Sequence, residues 1–419
     1  MNKTIAVVGL GYVGLPLALV SIEKGYNVIG YDIDDRKIKL LNERKAPFKD
    51  EFIENKLKEI NMNRFFATQD INELKKAEII ILCVPTPIDK KYQPDYTHII
   101  DSMKMIKSVL QENQLIILES TISPGTMETI VKPIFEDENW IEGKNYFLAH
   151  APERIDPGNK KYNISNIPRV IGAFSEIGLE RTYIYYSSII NAEIIKLKSV
   201  KEVEATKILE NSFRDINIAF INEIAKSFDK MDIDIIDVIK GASSKPFGFM
   251  PFYPGCGVGG HCIPVDPYYL IEKASESGFD HKFLKLAREI NNSMPKYTVD
   301  LFLREMNKIG ECVKDKTVGV LGLSYKKNVG DIRESPALKI IEELKNLQAK
   351  VIVYDPYFLN ESQVKSLDEF YELVDYVILA TDHDAFENLD FTKFKLFIDG
   401  RNMFYNKNIK SCHYKGVGR

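Results

Sequence analysis

Val7-Val8-Gly9-Leu10-Gly11-Tyr12-Val13-Gly14 follows the apolar residues Ile5 and Ala6, and a second apolar run, 28–31, ends beside Asp32. Strand, glycine-rich turn, helix, then a strand with an acid at its tip is the order of a dinucleotide-binding βαβ unit. In this reading Gly9 permits the tight turn, Gly11 lets backbone reach a pyrophosphate, and Gly14 lets the helix pack on the strand. Tyr12 and Val13 complete the turn, and phosphate sits at the positive end of the helix that follows. A carboxylate at the second strand tip hydrogen-bonds a ribose diol and repels a 2′-phosphate, so Asp32 points to NAD over NADP.

The alternative for this segment is a secretory signal, because Lys3 precedes a mostly apolar stretch, 5–20. Three glycines and Pro16 within it, and helix and strand periodicity that continues beyond it, argue against one. No other uncharged run approaches the roughly 20 residues needed to span a bilayer, so a soluble, cytoplasmic protein is expected.

Composition narrows the class. The 419 residues suffice for two or three domains, and 45% hydrophobic content is that of a globular chain. Lys and Arg total 56 against 60 acids with no long basic block, which disfavours nucleic acid and anionic membrane as partners. Cys83, Cys256, Cys262, Cys312 and Cys412 are odd in number and scattered, the pattern of a reducing compartment and not of a disulfide framework.

Strand-like runs at 79–84, 115–118, 147–149 and 169–172 alternate with helical patterns, which predicts a parallel, doubly wound sheet. Between 199 and 230 the apolar period becomes helical, through Val203, Ile208, Leu209, Phe213, Ile216, Phe220, Ile224 and Phe228. Strand patterns resume at 317–321, 350–354, 376–379 and 396–399. The ends echo each other: Val320-Leu321-Gly322-Leu323-Ser324-Tyr325 repeats the opening turn, and Tyr354-Asp355 repeats Tyr31-Asp32. The second copy has Ser324 where Gly11 stands, so its backbone is not expected to approach a pyrophosphate, and Lys326, Arg333 and Arg401 there can neutralise another phosphorylated ligand. Solvated surface charge explains each of the three equally well. The expected fold is α/β, two Rossmann-like doubly wound domains joined by a long central helix and a helical linker domain. The expected boundaries are 1–198, 199–312 and 313–419.

The sharpest local feature is Pro254-Gly255-Cys256-Gly257-Val258-Gly259-Gly260-His261-Cys262-Ile263-Pro264-Val265-Asp266-Pro267. Its glycines allow a ligand close to backbone. Cys262 stands just ahead of a helix expected at 268–277, where backbone N–H groups favour a thiolate, and Asp266 follows one turn on. A thiolate beside a carboxylate suits covalent catalysis on a carbonyl followed by thioester hydrolysis. A single cysteine is also a common small core residue. Zinc held by Cys256, His261 and Cys262 is the competing chemistry, but that spacing matches none of the usual ligand sets.

On the long helix Glu204, Lys207, Asn211 and Arg214 form one polar stripe, in which Lys207 and Asn211 can hold an oxyanion. A solvated helix face gives the same spacing. Cys83-Val84-Pro85-Thr86-Pro87, Glu119-Ser120-Thr121 and His150-Ala151-Pro152-Glu153-Arg154 fall at the C-terminal edge of the first sheet, where open α/β sheets bind ligands. Thr121 and Glu153 can bind water or relay protons there, or serve only as strand-end turn residues.

With Gly9 to Gly14, Thr121, Glu153, Lys207, Asn211, Cys262, Asp266 and Arg333 in this order, the chain resembles the UDP-glucose/GDP-mannose dehydrogenase family along essentially its whole length. Asp331-Ile332-Arg333-Glu334-Ser335-Pro336 and Asp399-Gly400-Arg401-Asn402 carry the resemblance as well as the cysteine segment does. The resemblance implies two successive NAD-dependent oxidations of a sugar C6 alcohol to a carboxylate. It makes Cys262 the nucleophile, Lys207 and Asn211 the oxyanion donors, Asp266 and Thr121 the groups that orient water, and Glu153 an acid–base assistant. It extends the cofactor contacts to Lys37, Pro85, Thr86, Ser120 and Arg333, and assigns Arg154, Lys245, Tyr253, Gly259, Lys326 and Arg401 to the nucleotide sugar.

Val265 and Pro157 stand where the UDP-glucose branch has Lys and Glu, so an N-acetylhexosamine is expected, UDP-N-acetylglucosamine first, with UDP-N-acetylmannosamine, UDP-N-acetylgalactosamine and UDP-glucose as alternatives. A homodimer built around the helical middle, with Lys245 reaching across, is implied by the same resemblance, although the apolar helix from Val203 to Phe228 serves its own chain's core equally well. Two other readings compete. A one-step 3-hydroxy-acid dehydrogenase needs neither Cys262 nor a second nucleotide domain, and a non-catalytic nucleotide sensor needs no nucleophile beside oxyanion donors.

Overall fold

Strand β1 (Thr4–Val8) alternates its side chains between two cores: Ile5 and Val7 join one apolar cluster, Ala6 and Val8 the other. The same division holds in β4 (Ile79–Leu82) and β5 (Gln114–Leu118), so these runs read as continuously apolar because both faces of the sheet are covered. With β2 (Asn27–Tyr31), β3 (Phe65–Thr68), β6 (Tyr146–His150), β7 (Arg169–Ala173) and β8 (Ile194–Lys196) they form an eight-stranded sheet in the order β3-β2-β1-β4-β5-β6-β7-β8. This is the doubly wound order, and its switch point lies between β1 and β4.

The structure, a computed structural model, describes residues 3–48, 51–89, 92–155 and 161–419. All strand pairs of the first sheet are parallel except β6 with β7, which run antiparallel. A parallel return needs a crossover, usually a helix, and the described residues between β6 and β7 contain no helix.

A second sheet contains β9 (Thr317–Leu321), β10 (Lys350–Tyr354), β11 (Tyr376–Leu379), β12 (Leu396–Asp399) and β13 (His413–Gly416), all parallel, in the order β10-β9-β11-β12-β13. Between the sheets in sequence come the 31-residue helix Val200–Lys230, the helix Asp266–Glu276 and the 27-residue helix Lys282–Lys308, which carries Pro295 within it. The long helix starts at a capping box: Glu202 Oε2 accepts from Ser199 N–H at 3.1 Å, and Ser199 Oγ accepts from Glu202 N–H at 3.2 Å. The protein is therefore α/β, with two parallel-sheet domains and a helical middle.

Two compact units emerge from the packing, Met1–Glu210 with Tyr268–Gly278 and Asn211–Pro267 with Phe279–Arg419. Among the described residues no helix is long and apolar enough to cross a membrane.

Candidate active site

In the first unit the three glycines of the opening turn do three different jobs. Gly9 has φ +92°, and a Cβ there would stand 2.6 Å from the Cys83 carbonyl oxygen, so β1 and β4 meet at this residue only because it has no side chain. A Cβ on Gly14 would lie 2.0 Å from the Gly9 oxygen. A Cβ on Gly11 would meet nothing within 4 Å, so its backbone faces open space beside Tyr12 and Val13, at the start of the helix Gly14–Glu23. Asp32, buried, accepts from Leu10 N–H at 2.9 Å and from Lys37 Nζ at 3.0 Å through Oδ2, and from Asp34 N–H at 3.0 Å through Oδ1. An open backbone turn at a helix N-terminus with a carboxylate next to it fits the pyrophosphate and ribose of NAD.

The other strand ends of this sheet converge on a buried charge cluster. Arg169 donates to Glu119 Oε1 at 3.0 Å, to the Ala151 carbonyl at 3.2 Å and, through NH2, to Glu153 Oε2. Its guanidinium also lies 4.9 Å from the centre of the Tyr186 ring, and Tyr186 donates to Glu119 at 2.5 Å. Burial pushes the Glu119 carboxyl up, with the Glu153 charge adding to it and Arg169 opposing it. Burial works against the Arg169 charge, yet the two carboxylates hold its pKa above the ordinary range. The remaining oxygen of Glu153 accepts from Arg154 N–H at 2.6 Å and Ile155 N–H at 2.7 Å, so this carboxylate fixes the 153–155 turn. Arg154 in turn forks onto Glu210 of the long helix and donates to the Pro168 carbonyl at 2.7 Å.

Thr121 lies half-buried in the loop after β5, and its neighbour Ser120 donates to the Val84 carbonyl at 2.6 Å, tying that loop to the one that holds Pro85 and Thr86. Tyr269 donates to the Thr86 carbonyl. Glu204 is buried, accepts from the Gly125 and Met127 N–H groups, and so anchors the 125–127 segment. Lys207, one turn along, is also buried, and its side chain makes no hydrogen bond or ion pair among the described residues. A buried cation without a partner is expensive, and an anionic ligand group would relieve that cost.

In the second unit Asn211 donates through Nδ2 to Asp266 Oδ2 and accepts from Arg214 through Oδ1, with Asn211 and Asp266 both buried. One N–H of the Asn211 amide remains beyond the bond to Asp266. Asp266 N–H donates to the Cys262 carbonyl at 2.8 Å, placing the cysteine at the start of the helix Asp266–Glu276. Cys262 is partly exposed, and its sulfur lies 3.6 Å from His261 Nε2.

The glycines of this loop are needed chiefly for packing within the protein. A Cβ on Gly259 would stand 2.6 Å from Tyr325 Cβ, one on Gly260 2.8 Å from the Tyr325 ring, and one on Gly257 3.0 Å from Pro336. Gly260 N–H also donates to the Arg333 carbonyl at 2.9 Å. Arg333 forks onto Asp331; that hydrogen bond, followed by opposing burial, is the main influence on its raised pKa, to which the nearby Cys262 contributes. Arg401 donates to the Ala380 and Tyr325 carbonyls at 2.8 and 3.2 Å, with Lys326 half-buried beside that tyrosine in sequence. Lys245 is exposed over the Phe247 ring at 4.8 Å, and Tyr253 is exposed. Pro157 lies outside the described residues.

Among the described residues no group of three or more His, Cys, Asp or Glu side chains is arranged to hold a metal ion. Sequence reasoning missed Arg169, whose only signal is a charge opening an apolar strand, and the buried amides Asn222 and Asn291 on the two long helices.

Three profiles of one family cover most of the chain. The NAD binding domain of the UDP-glucose/GDP-mannose dehydrogenase family matches residues 3–190, its central domain 201–293 and its UDP binding domain 319–406. A Staphylococcus aureus protein named CapL is 40% identical over 400 residues, 93% of this chain and 92% of its own. A UDP-N-acetyl-D-glucosamine 6-dehydrogenase of Pseudomonas aeruginosa is 37% identical over 392 residues, 92% of each chain. The solved UDP-D-ManNAc dehydrogenase of Pyrococcus horikoshii superposes with a TM-score of 0.92 at 34% identity, covering 100% of this chain and 99% of that one.

Proposed function

Since this chain belongs to the UDP-glucose/GDP-mannose dehydrogenase family and is a NAD-dependent UDP-sugar 6-dehydrogenase, we propose that it oxidises a UDP-N-acetylhexosamine, UDP-N-acetylglucosamine first, to the uronic acid. Labour is divided along the chain as NAD binding in 1–198, the reacting groups and dimer contacts in 199–312, and nucleotide-sugar binding in 313–419. The observation that carries the reading is the placement of Asn211 against Asp266, whose own N–H is bonded to Cys262.

NAD, held by the Gly9–Gly14 turn and Asp32, would supply the hydride acceptor for each of the two oxidations at C6. Between them the Cys262 sulfur adds to the aldehyde carbon, giving a thiohemiacetal whose oxygen is held by Lys207 and the free N–H of Asn211. The second oxidation leaves a thioester. Water oriented by Asp266 and Thr121 then adds to the carbonyl, the C–S bond breaks, and the acid leaves with Cys262 regenerated. Glu153 is the acid–base assistant in this reading, and its Oε1 also fixes the turn that carries Arg154. Lys326 and Arg401 are assigned to the nucleotide sugar and Arg333 to the NAD side. UDP-N-acetylmannosamine is the second candidate, supported by the likeness to the P. horikoshii structure.

A second copy of the chain completes the assembly in this reading. Leu209, Phe213 and Phe220 are exposed along the long helix, an apolar face that a homodimer would cover. Five free cysteines and a requirement for NAD support a cytoplasmic setting, upstream of surface polysaccharide synthesis.

The test is to incubate the purified protein with NAD and a panel of UDP- and GDP-sugars and follow NADH. Two NADH per UDP-N-acetylhexosamine supports the proposal; one indicates a single-step dehydrogenase, and none a binding protein. Full turnover to the acid by Cys262→Ser would refute the thioester route.

A further inference from the structure

The segment bearing Cys262 is fastened at both ends to one face of the long helix. At its far end Asp266 accepts from Asn211. At its near end Gly255 N–H donates to Asn222 Oδ1 at 3.0 Å. Asn211 and Asn222 are both on the helix Val200–Lys230, and at about 100° per residue their eleven-residue separation brings them within about 20° of one another, roughly three turns apart.

Behind this face the asparagine is itself held. Asn222 Nδ2 donates to Asn291 Oδ1 at 2.9 Å, and Asn291 Nδ2 donates to the Asp215 carbonyl at 3.0 Å and to Asp215 Oδ1 at 2.8 Å. Arg288 donates to the same Asp215 oxygen at 2.5 Å. Asp215 is one turn beyond Asn211, so the network leaves the long helix at Asn222 and returns to it beside Asn211. Every member is buried: Asn211, Asp215, Asn222, Arg288 and Asn291 all lie below 4% exposure. Arg288, Asn291 and Pro295 share one face of the helix Lys282–Lys308, and Pro295 comes within 3.4 Å of the Cβ position of Gly257 in the cysteine loop.

An apolar core would hold these helices together without a chain of side-chain amides. Amides fix register, because each has one donor end and one acceptor end and a slipped pairing leaves a buried polar group unmatched. We propose that Asn222 and Asn291 are positioning residues for the reaction, setting the height of the Cys262 loop along the helix that carries Asn211. The inference rests on Cys262 being the nucleophile proposed above.

The test uses the full chain with Asn222→Ala, Asn222→Ser, Asn291→Ala and, as control, Cys262→Ala. A loop out of register captures the aldehyde poorly. Asn222→Ala and Asn291→Ala are expected to lower kcat tenfold or more with KM for NAD within twofold of the parent, and to move NADH per sugar from two toward one, with the escaping aldehyde trapped by semicarbazide. Asn222→Ser, which keeps an acceptor oxygen and is the variant read if the alanine form does not fold, is expected to recover part of kcat. Folded variants with lowered melting temperature but parental kcat and two NADH per sugar would overturn the clamp while leaving the nucleophile intact. If Cys262→Ala still yields two NADH per sugar, the nucleophile reading fails instead. In the unmodified chain the Gly255 amide is expected to exchange hydrogen as slowly as the buried helix amides, and exchange at the rate of an exposed loop would overturn the clamp without any variant.

Discussion

Asp32 and Asp355 occupy equivalent positions, each one residue beyond a strand that ends on tyrosine and each accepting the N–H of a leucine in the neighbouring turn. Leu10 N lies 2.9 Å from Asp32 Oδ2, and Leu323 N lies 2.6 Å from Asp355 Oδ2. The turn glycines match as well: Gly9 N–H donates to Tyr31 O at 2.8 Å and Gly322 N–H to Tyr354 O at 2.9 Å, with φ of +92° and +93°. The surroundings differ. Asp32 faces the partly exposed Lys37, whereas Asp355 is fully buried and takes Ser324 N–H, Ser324 Oγ and His383 as well. Both carboxylates are buried, but Asp32 keeps 6% exposure whereas Asp355 keeps none and is closed into the fold.

Substitutions in the first turn should separate binding from folding. Gly11→Ala adds a methyl group to open space, so stability should stay within about 0.5 kcal/mol while KM for NAD rises about tenfold. Gly14→Ala puts its methyl 2.0 Å from the Gly9 oxygen and should cost about 2 kcal/mol or more. Thermal melts and NAD titration of the pair check this. Early melting of Gly11→Ala with normal NAD affinity would contradict the division.

Asp355 should make the second domain acid-sensitive. Burial alone would raise its pKa, but His383 and the Ser324 and Tyr357 N–H groups outweigh it and bring the carboxyl down to about 2. A carboxyl depressed in the folded state stabilises it above its unfolded value of 3.8, and that contribution is lost as pH falls from about 4 toward 2. The amount is roughly 2 kcal/mol. Asp355→Asn should remove this acid-limb dependence, read from urea unfolding at pH 2.5 to 5.

Glu204 should act in the opposite direction on the neutral side. Burial pushes its carboxyl up to about 7 even though the Met127 and Gly125 N–H groups favour the charged form. A raised carboxyl stabilises the folded state below its ordinary value of 4.5, and that stability is lost as pH rises through about 7. Unfolding free energy should therefore fall by roughly 3 kcal/mol between pH 4.5 and 8, and Glu204→Gln should flatten the slope. An unchanged slope in that variant would rule out Glu204 as its source.

Much of this architecture is legible along the chain, for reasons that also explain the omissions. Strands β1, β4 and β5 announce themselves because both faces are buried, whereas β3 exposes Phe66, β8 is three residues long with Ile195 and Lys196 exposed, and His413 to Lys415 of β13 are only half-buried. The glycine loop is conspicuous as a sequence, but its contacts with Tyr325 and Pro336 depend on packing far along the chain. Glu204 and Asn211 share a polar stripe by spacing, yet one anchors a loop and the other bonds Asp266, a difference that spacing does not encode. Arg169 is harder still, since a charge at the start of a buried strand makes sense only once Glu119 and Glu153 have been brought to it.

That cluster gives the most demanding test of the first domain. Arg169 serves two buried carboxylates, so removing it leaves both with a desolvation cost that the Tyr186 hydroxyl and the Arg154 and Ile155 N–H groups offset only in part. Arg169→Met should cost roughly 3–5 kcal/mol, well beyond what the lost side-chain packing explains. Protonation of Glu119 is the cheapest escape, because burial already pushes that group up, so Glu119→Gln placed in the Arg169→Met background should restore at least about 1 kcal/mol. The same Glu119→Gln change in the parent should instead be destabilising, since it weakens a bond to a buried cation. A double-mutant cycle by urea unfolding therefore has a required sign: the two changes must be less costly together than the sum of each alone. Additive costs would mean that Arg169 and Glu119 are neighbours without being partners.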